Sequence, residues 1–133
     1  MQTRLVAIGE GRLLLYVAGQ ICRDGDEVMT GRCPDEVSVE EATRRARMCG
    51  LAVLAQIEQS VGLDNVVELA QVLGFVRSVE DFTEQSRVVN GASDLFVEVF
   101  GSAGKHTRAA VGSSGLPLGA TVEIAAVAVV RTG

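Results

Sequence analysis

Two ionisable residues, Arg108 and Glu123, lie in the most apolar part of the chain, residues 106–131. An arginine guanidinium presents a planar fork of N–H groups that can hold a carboxylate through two parallel hydrogen bonds, which a lysine ammonium cannot do. Arg108 therefore predicts a clamp for a small carboxylate. The residues alone leave one alternative open, which is that Arg108 forms an ion pair at a protein interface.

Glu123 lies in a strand-like run, Thr121–Arg131. The even-numbered residues from 122 to 130 are all apolar, and so are the odd-numbered residues from 125 to 129. A strand of that kind is buried on both faces. A carboxylate there costs free energy unless it is paired, hydrogen-bonded or directed into a polar pocket. Two interpretations follow: Glu123 serves a pocket, where it could act in general acid–base chemistry, or it is the buried counter-ion of an arginine such as Arg108.

Two weaker signals lie close to Arg108 in the chain. His106 is the only histidine, so a Ser–His–Asp triad would have to use it. The segment Gly112–Gly115 is rich in Gly and Ser like a phosphate-binding loop, but the lysine that continues such a loop is absent. A β-turn is the more typical structure for this segment.

The beginning of the chain predicts a β-hairpin. Residues 5–8 and 13–21 are β-prone, and the short loop between them contains two glycines. Asp24–Gly25 marks a further tight turn. A short edge strand is expected after that turn, over residues 27–30.

A helix is predicted to begin at Ser38. Ser38 and Glu41 have the spacing of a capping box, in which the Ser38 hydroxyl accepts from the Glu41 N–H and the Glu41 carboxylate reaches back to the Ser38 backbone. Apolar residues then recur at helical spacing, and Gly62 is the expected end of the helix.

The rest of the chain predicts three strands and a second helix. Residues 66–77 form an apolar strand, apolar positions recur at helical spacing between 88 and 100, and Gly101 is the expected end of that helix. Two strands that contain Arg108 and Glu123 follow. The order β-β-(β)-α-β-α-β-β predicts an α+β fold, a mixed sheet with both helices on one face.

The apolar content of the central strands predicts self-association. Strands 66–77 and 121–131 carry apolar residues on both faces, whereas two helices on one face leave the other face uncovered. The simplest cover for that face is another copy of the chain.

Length and composition bound the class of protein. A chain of 133 residues is expected to form one domain, residues 1–133, with one core. Its net charge is −5, with 12 Lys and Arg against 17 Asp and Glu, so no basic stripe favours binding of nucleic acid. No run approaches the roughly 20 apolar residues of a membrane span, and we expect no membrane association.

The cysteines point to a reducing compartment. Cys22, Cys33 and Cys49 are odd in number and lack the C-x-x-C spacing, so neither a disulfide framework nor a zinc site is indicated. The N-terminus has no long apolar leader segment. We therefore expect a cytoplasmic protein with free thiols.

Several segments together resemble one family. They are Tyr16–Ile21 (YVAGQI), residues 81–101, Thr107–Gly112 (TRAAVG), Leu116–Pro117, and Val122–Ala125 (VEIA). These segments are similar to those of the RidA family, also called YjgF-like or reactive intermediate deaminase and, by an older label, endoribonuclease L-PSP. The resemblance runs from about Leu13 to about Val130 without a large gap, which makes it far more specific than any one segment.

The resemblance implies a fold, an assembly and an activity. Members of the RidA family have a chorismate-mutase-like fold and form trimers, with the sheets facing inward and a pocket at each subunit boundary. The implied activity is hydrolytic deamination of small carboxylated enamines and imines, of the 2-aminoacrylate type, to 2-keto acids and ammonia. No cofactor and no metal ion is implied.

The resemblance also implies roles for individual residues. Arg108 matches the arginine that binds the substrate carboxylate, and Glu123 matches a glutamate that handles the attacking water. Asn90 aligns with an asparagine of many members, although such a residue is also common on a helix surface. Ala18 and Ala110 stand where many members have Ser and Cys, so two pocket positions lack a hydroxyl and a thiol.

These departures leave three functions to compare. The first is the deaminase. The second is a non-catalytic trimer that binds small carboxylates or 2-keto acids through Arg108. The third, a ribonuclease or translation inhibitor, rests on the older family label and is disfavoured by the acidic isoelectric point of about 4.8.

Overall fold

The computed structural model describes residues 1–132 and contains a mixed sheet with two helices. The strands are β1 (Thr3–Gly9), β2 (Arg12–Ile21), β3 (Arg23–Asp24), β4 (Glu27–Val28), β5 (Val66–Arg77), β6 (Thr107–Ser113) and β7 (Val122–Arg131). The α-helices are α1 (Val39–Ser60) and α2 (Gln85–Phe100). The predicted α+β class and the order of the main elements are confirmed.

Five strands form the main sheet in the order β1-β2-β7-β5-β6. Every neighbouring pair is antiparallel except β5 and β6, which are parallel. A parallel pair needs a long crossover between its strands, and α2 provides it. Strand β6 is consequently an edge strand, paired only with β5.

Both helices pack on one face of this sheet. Along β7 the even-numbered residues from Val122 to Val130 are almost completely buried, whereas the odd-numbered residues from Glu123 to Val129 are half-buried. The buried set faces the helices: Ile124 is in register with Gly74 of β5, and a Cβ atom added to Gly74 would meet the Val89 side chain of α2. The other face of the sheet has no helix over it within residues 1–132.

The two helices touch at a glycine. A Cβ atom added to Gly91 of α2 would overlap the carbonyl oxygen of Thr43 in α1 and would lie 3.1 Å from the Arg47 nitrogen. Glycine usually costs a helix about 1 kcal/mol relative to alanine. Here the missing side chain lets the two helix backbones approach each other.

Only one of the two hydrogen bonds of the predicted capping box forms at the start of α1. The Ser38 hydroxyl accepts a hydrogen bond from the Glu41 N–H at 3.1 Å, as predicted. The Glu41 carboxylate, however, does not reach back; it accepts from Arg44 and Arg45, each at 2.7 Å. These two guanidinium groups lower the pKa of Glu41 to about 2. Arg45 also donates to the Thr121 hydroxyl and so connects α1 to the start of β7.

The predicted edge strand over residues 27–30 is shorter than expected. Residues 27–28 pair with 23–24 in a separate two-stranded hairpin, and Thr30 forms only an isolated bridge with Ala120. Gly25 takes φ +61° in the turn, the left-handed conformation that glycine adopts without strain.

Three further structural findings concern the chemistry open to the chain. Cys22, Cys33 and Cys49 are buried and none forms a disulfide. Within residues 1–132, no group of three or more His, Cys, Asp and Glu side chains is arranged to hold a metal ion. In the same residues, no helix has both the length and the apolarity needed to cross a membrane.

Candidate functional site

Arg108 lies on β6 and points toward α2. One guanidinium nitrogen, Nη1, donates to Asn90 Oδ1 at 2.7 Å and to Ser93 Oγ at 3.1 Å, and Nη2 donates to the Ser86 carbonyl at 3.3 Å. These three residues follow one another at helical spacing on α2, so one face of the helix holds the guanidinium. The cavity at this point, about 300 Å³, is here called the arginine pocket. It is lined by Asn90, Ser93, Val97, Lys105, His106 and Arg108.

The charge of Arg108 is not neutralised within residues 1–132. Its hydrogen-bond partners are an amide, a hydroxyl and a backbone carbonyl, and no carboxylate lies within ion-pair distance of it or of Lys105 in that part of the chain. An arginine has five N–H groups, and the three hydrogen bonds leave two of them free for another acceptor. The arrangement can therefore accept an anion with a planar pair of oxygens.

His106 extends this network. Its Nδ1 lies 2.6 Å from the Gly104 carbonyl oxygen and its Nε2 lies 2.9 Å from Ser93 Oγ. The Phe96 ring packs edge-on against the imidazole, with ring centres 6.0 Å apart. A Ser–His–Asp triad, which the sequence allowed only through His106, is not formed: among the described residues the imidazole contacts Ser93 and the Gly104 carbonyl and no carboxylate.

Glu123 lines a different and larger cavity, about 560 Å³, here called the glutamate groove. The groove is lined by Gln2, Gly19, Gln20, Ile21, Arg23, Met48, Ala52, Gln56, Pro117, Leu118 and Glu123. The Glu123 carboxylate is half-buried and forms no hydrogen bond or ion pair within residues 1–132. The structure therefore places Glu123 in a cavity and gives it no arginine partner within residues 1–132.

The shape of β2 makes room for this carboxylate. The pairing of β2 with β7 shifts by one residue between Val17 and Gln20, which is a β-bulge. A Cβ atom added to Gly19, inside the bulge, would collide with the Glu123 carboxylate. Glycine is therefore required beside Glu123 for the observed position of its side chain.

Arg108 and Glu123 face opposite sides of the sheet. Arg108 is in register with Val72 of β5, which is in register with Ala126 of β7. Glu123 lies three residues from Ala126 with no bulge between them, and an odd separation along a strand reverses the face. The suggestion that Arg108 is the counter-ion of Glu123 is thus wrong within one chain.

Comparison with known proteins places this geometry in a family. The family model described as Endoribonuclease L-PSP matches residues 5–130. The chain belongs to the endoribonuclease L-PSP family. This confirms the resemblance found in the sequence, since RidA and YjgF-like are other labels for the same family.

The chain is also similar to individual proteins. Protein TCP17 of Trypanosoma cruzi is 44% identical over 113 residues, which cover 83% of this chain and 71% of TCP17. Among solved structures, Atu1372 of Agrobacterium tumefaciens, a protein of unknown function, is 38% identical with a TM-score of 0.88, covering 98% of this chain and 82% of its own. A Shewanella oneidensis MR-1 protein assigned to the endoribonucleases is 25% identical with a TM-score of 0.83, covering 96% and 83% of the two chains.

In this L-PSP family member, the predicted site residues form two groups. Asn90 contacts Arg108 directly, and Ala110 follows Arg108 by two residues on the same face of β6, half-buried against the core. Ala18 lies at the bulge of β2, next to Gly19, but is not part of the lining of the glutamate groove. One chain therefore brings Asn90 and Arg108 together, leaves Ala110 on the same strand face but outside the lining of the arginine pocket, and places Ala18 and Glu123 elsewhere.

Ser93 was missed from the sequence. It follows Asn90 by three residues, which is the spacing of neighbours on one helix face. That spacing could have indicated a shared partner for Asn90 and Ser93. The identity of the partner depends on how α2 packs over β6, and no local pattern contains that information.

Proposed function

We propose that this L-PSP family protein hydrolyses small carboxylated imines and enamines of the 2-aminoacrylate type to 2-keto acids and ammonia. The observation that carries the proposal is the state of Arg108: its guanidinium is held by three neutral groups, has no carboxylate partner within residues 1–132, and lines an open pocket. A positive group prepared in this way favours a small anionic ligand.

The proposed chemistry assigns one step to each charged residue. Arg108 holds the carboxylate of the imine. An enamine substrate first takes the imine form by moving a proton from nitrogen to carbon. Glu123 accepts a proton from a water molecule as the water oxygen attacks the imine carbon, and the imine nitrogen takes up a proton from solvent. In the resulting carbinolamine the nitrogen receives the proton held by Glu123, the C–N bond breaks with release of ammonia, and the hydroxyl loses its proton to solvent as the carbonyl of the keto acid forms. Substrate and water are the only reactants, so no cofactor takes part.

This chemistry requires the two residues to come from different subunits. Arg108 and Glu123 lie on opposite faces of the sheet. Their strands, β6 and β7, are separated by β5, so the two strand axes are about 10 Å apart. A pocket between two copies would join the arginine pocket of one copy to the glutamate groove of its neighbour. The trimer implied by the family resemblance supplies such a boundary.

A homotrimer is therefore expected in solution. The face of the sheet away from the helices carries half-buried apolar residues, including Leu73 and Phe75 of β5 and Val127 and Val129 of β7. Burial of this face between copies would be favourable. Light scattering on the purified protein should give three times the chain mass of 14.0 kDa. A stable monomer at micromolar concentration would contradict both the assembly and the pocket between subunits.

A second function, binding of 2-keto acids without turnover, is favoured by Ala18 and Ala110. These residues provide no hydroxyl or thiol, whereas many RidA-type relatives have Ser and Cys at the matching positions. Arg108, Asn90 and Ser93 would still bind a carboxylate. The binding function therefore needs the arginine pocket but not Glu123.

Two measurements on the wild-type protein together distinguish these functions. The decay of 2-aminoacrylate and of its imine is followed with and without protein, and the affinity for pyruvate is measured by calorimetry. The deaminase is expected to accelerate the decay and to bind pyruvate. Pyruvate binding with no acceleration would favour the binding function. The absence of both, together with cleavage of RNA by a nuclease-free preparation, would favour the ribonuclease.

A further inference from the structure

We propose that Ser93 and His106 are positioning residues for Arg108, joined to it by hydrogen bonds that all run in one direction. This inference rests on the proposed carboxylate role of Arg108 for its consequence in binding, although the hydrogen bonds themselves do not. Neither residue was assigned a role in the carboxylate site from sequence. In this proposal Ser93 and His106 hold the Arg108 guanidinium in one orientation.

The direction of the hydrogen bonds follows from donor and acceptor types. The Gly104 carbonyl can only accept, so His106 Nδ1, at 2.6 Å, must carry the proton. In the neutral imidazole Nε2 is then the acceptor, and Ser93 donates its hydroxyl hydrogen to it over 2.9 Å. The lone pairs of Ser93 Oγ are left for Arg108 Nη1, which donates at 3.1 Å.

Burial makes this arrangement specific. Ser93 is only 9% exposed and His106 is half-buried against Phe96 of α2, so both side chains depend mainly on protein partners for their hydrogen bonds. If His106 carried its proton on Nε2 instead, the bare Nδ1 would face the oxygen of Gly104 at 2.6 Å. Two acceptors at that distance repel each other. One tautomer of His106 is therefore required.

The consequence for Arg108 is a fixed orientation of its fork. Both N–H groups of Nη1 are used by Asn90 and Ser93 on the side of the helix. The two N–H groups that remain free are that of Nε and the second one of Nη2. A side chain anchored in this way loses less rotational freedom when a ligand binds, which favours affinity.

The tautomer can be measured directly because the chain contains a single histidine. A long-range nitrogen–proton spectrum of the ligand-free protein at pH 8 is expected to show the proton on Nδ1. Ser93→Ala should alter the Nε2 signal and broaden the guanidinium signals of Arg108, which are assigned by their loss in Arg108→Lys. A proton on Nε2, or unchanged Arg108 signals in Ser93→Ala, would overturn the proposal.

Binding gives the second readout. Ser93→Ala and His106→Phe, which keeps an aromatic ring against Phe96, are each expected to weaken pyruvate affinity about two- to twelve-fold, the effect of one hydrogen bond. Ser93→Thr restores the hydroxyl and should restore the affinity. The control is Ser60→Ala, which removes an exposed hydroxyl at the end of α1, outside both cavities, and should leave the affinity unchanged.

The two proposals fail in different ways. If Ser93→Ala disturbs the Arg108 signals but wild type does not bind pyruvate, the positioning role stands and the carboxylate role of Arg108 is wrong. If wild type binds pyruvate and Ser93→Ala binds it equally well, the carboxylate role stands and the positioning role is wrong.

Discussion

Glu123→Gln is expected to lower the rate of imine hydrolysis by about 10²–10⁴, the usual effect of losing a general acid–base group. Glutamine keeps the size and hydrogen-bonding capacity of the side chain but cannot accept the proton of the attacking water. Affinity for pyruvate should stay close to that of wild type, because the arginine pocket is unchanged. Steady-state rates of imine decay and calorimetry with pyruvate measure the two effects separately.

Glu80→Gln is a suitable control, since Glu80 is exposed and outside both cavities. One outcome would remove Glu123 from the catalytic assignment. If Glu123 is instead the counter-ion of an arginine in a neighbouring subunit, the loss of its charge leaves a buried guanidinium unpaired and lowers stability by up to about 3–5 kcal/mol. Thermal unfolding would then show a less stable protein, rescued by pyruvate, with an unchanged rate.

Arg108→Lys is expected to weaken binding of pyruvate about 10- to 100-fold, with turnover reduced alongside it. Charge-assisted hydrogen bonds contribute about 1.5–3 kcal/mol each, and lysine cannot make the bidentate contact. A lysine ammonium also cannot contact Asn90, Ser93 and the Ser86 carbonyl in the geometry of the guanidinium. Calorimetry with pyruvate measures the loss, and circular dichroism checks that the fold is retained.

Arg87→Lys provides the matched comparison for Arg108→Lys. Arg87 lies on the same helix that holds Arg108, but its side chain is exposed and forms surface ion pairs with Glu84 and Glu40. Its replacement should leave pyruvate affinity unchanged. Nearly full affinity in Arg108→Lys as well would show that a point charge is sufficient and that the clamp role is wrong.

The main elements could be predicted because their patterns are long and periodic. Strand β5 has the predicted bounds, residues 66–77, and α1 begins at the predicted cap. The short elements could not be predicted equally well. Residues 27–30 contain only a two-residue strand, since its partner is the equally short segment 23–24 and not the edge of the main sheet. Two-residue segments have no periodicity to detect.

The arrangement of the candidate site residues could not be predicted from the sequence. Arg108 and Asn90 are 18 positions apart in the chain, and only the packing of α2 over β6 brings them together. The suggested pair of Arg108 with Glu123 failed for a related reason. Alternation along a strand indicates which residues share a face of that strand, but it does not relate two strands that are separated by a third. The register through β5 decides that relation.

Gly91 illustrates the same limit. In sequence it is only a poor helix former, whereas in the structure it packs against the backbone of Thr43 in α1 with no room for a side chain. A contact between residues 43 and 91 has no local signal. The capping box at Ser38 and Glu41 shows the converse case. The local pattern predicted a hydrogen bond from the Ser38 N–H to the Glu41 carboxylate, but that carboxylate accepts from Arg44 and Arg45 instead.

The isolated positive charge of the arginine pocket affects how a ligand reaches it. Arg108 and Lys105 lie on a protein whose net charge is −5, so their attraction for an anion is local and extends over about a Debye length, about 8 Å at physiological salt. A small carboxylate fits within that distance. A long polyanion such as RNA would place most of its charge over the rest of a net-negative surface, so this distribution of charge favours small anions over long ones.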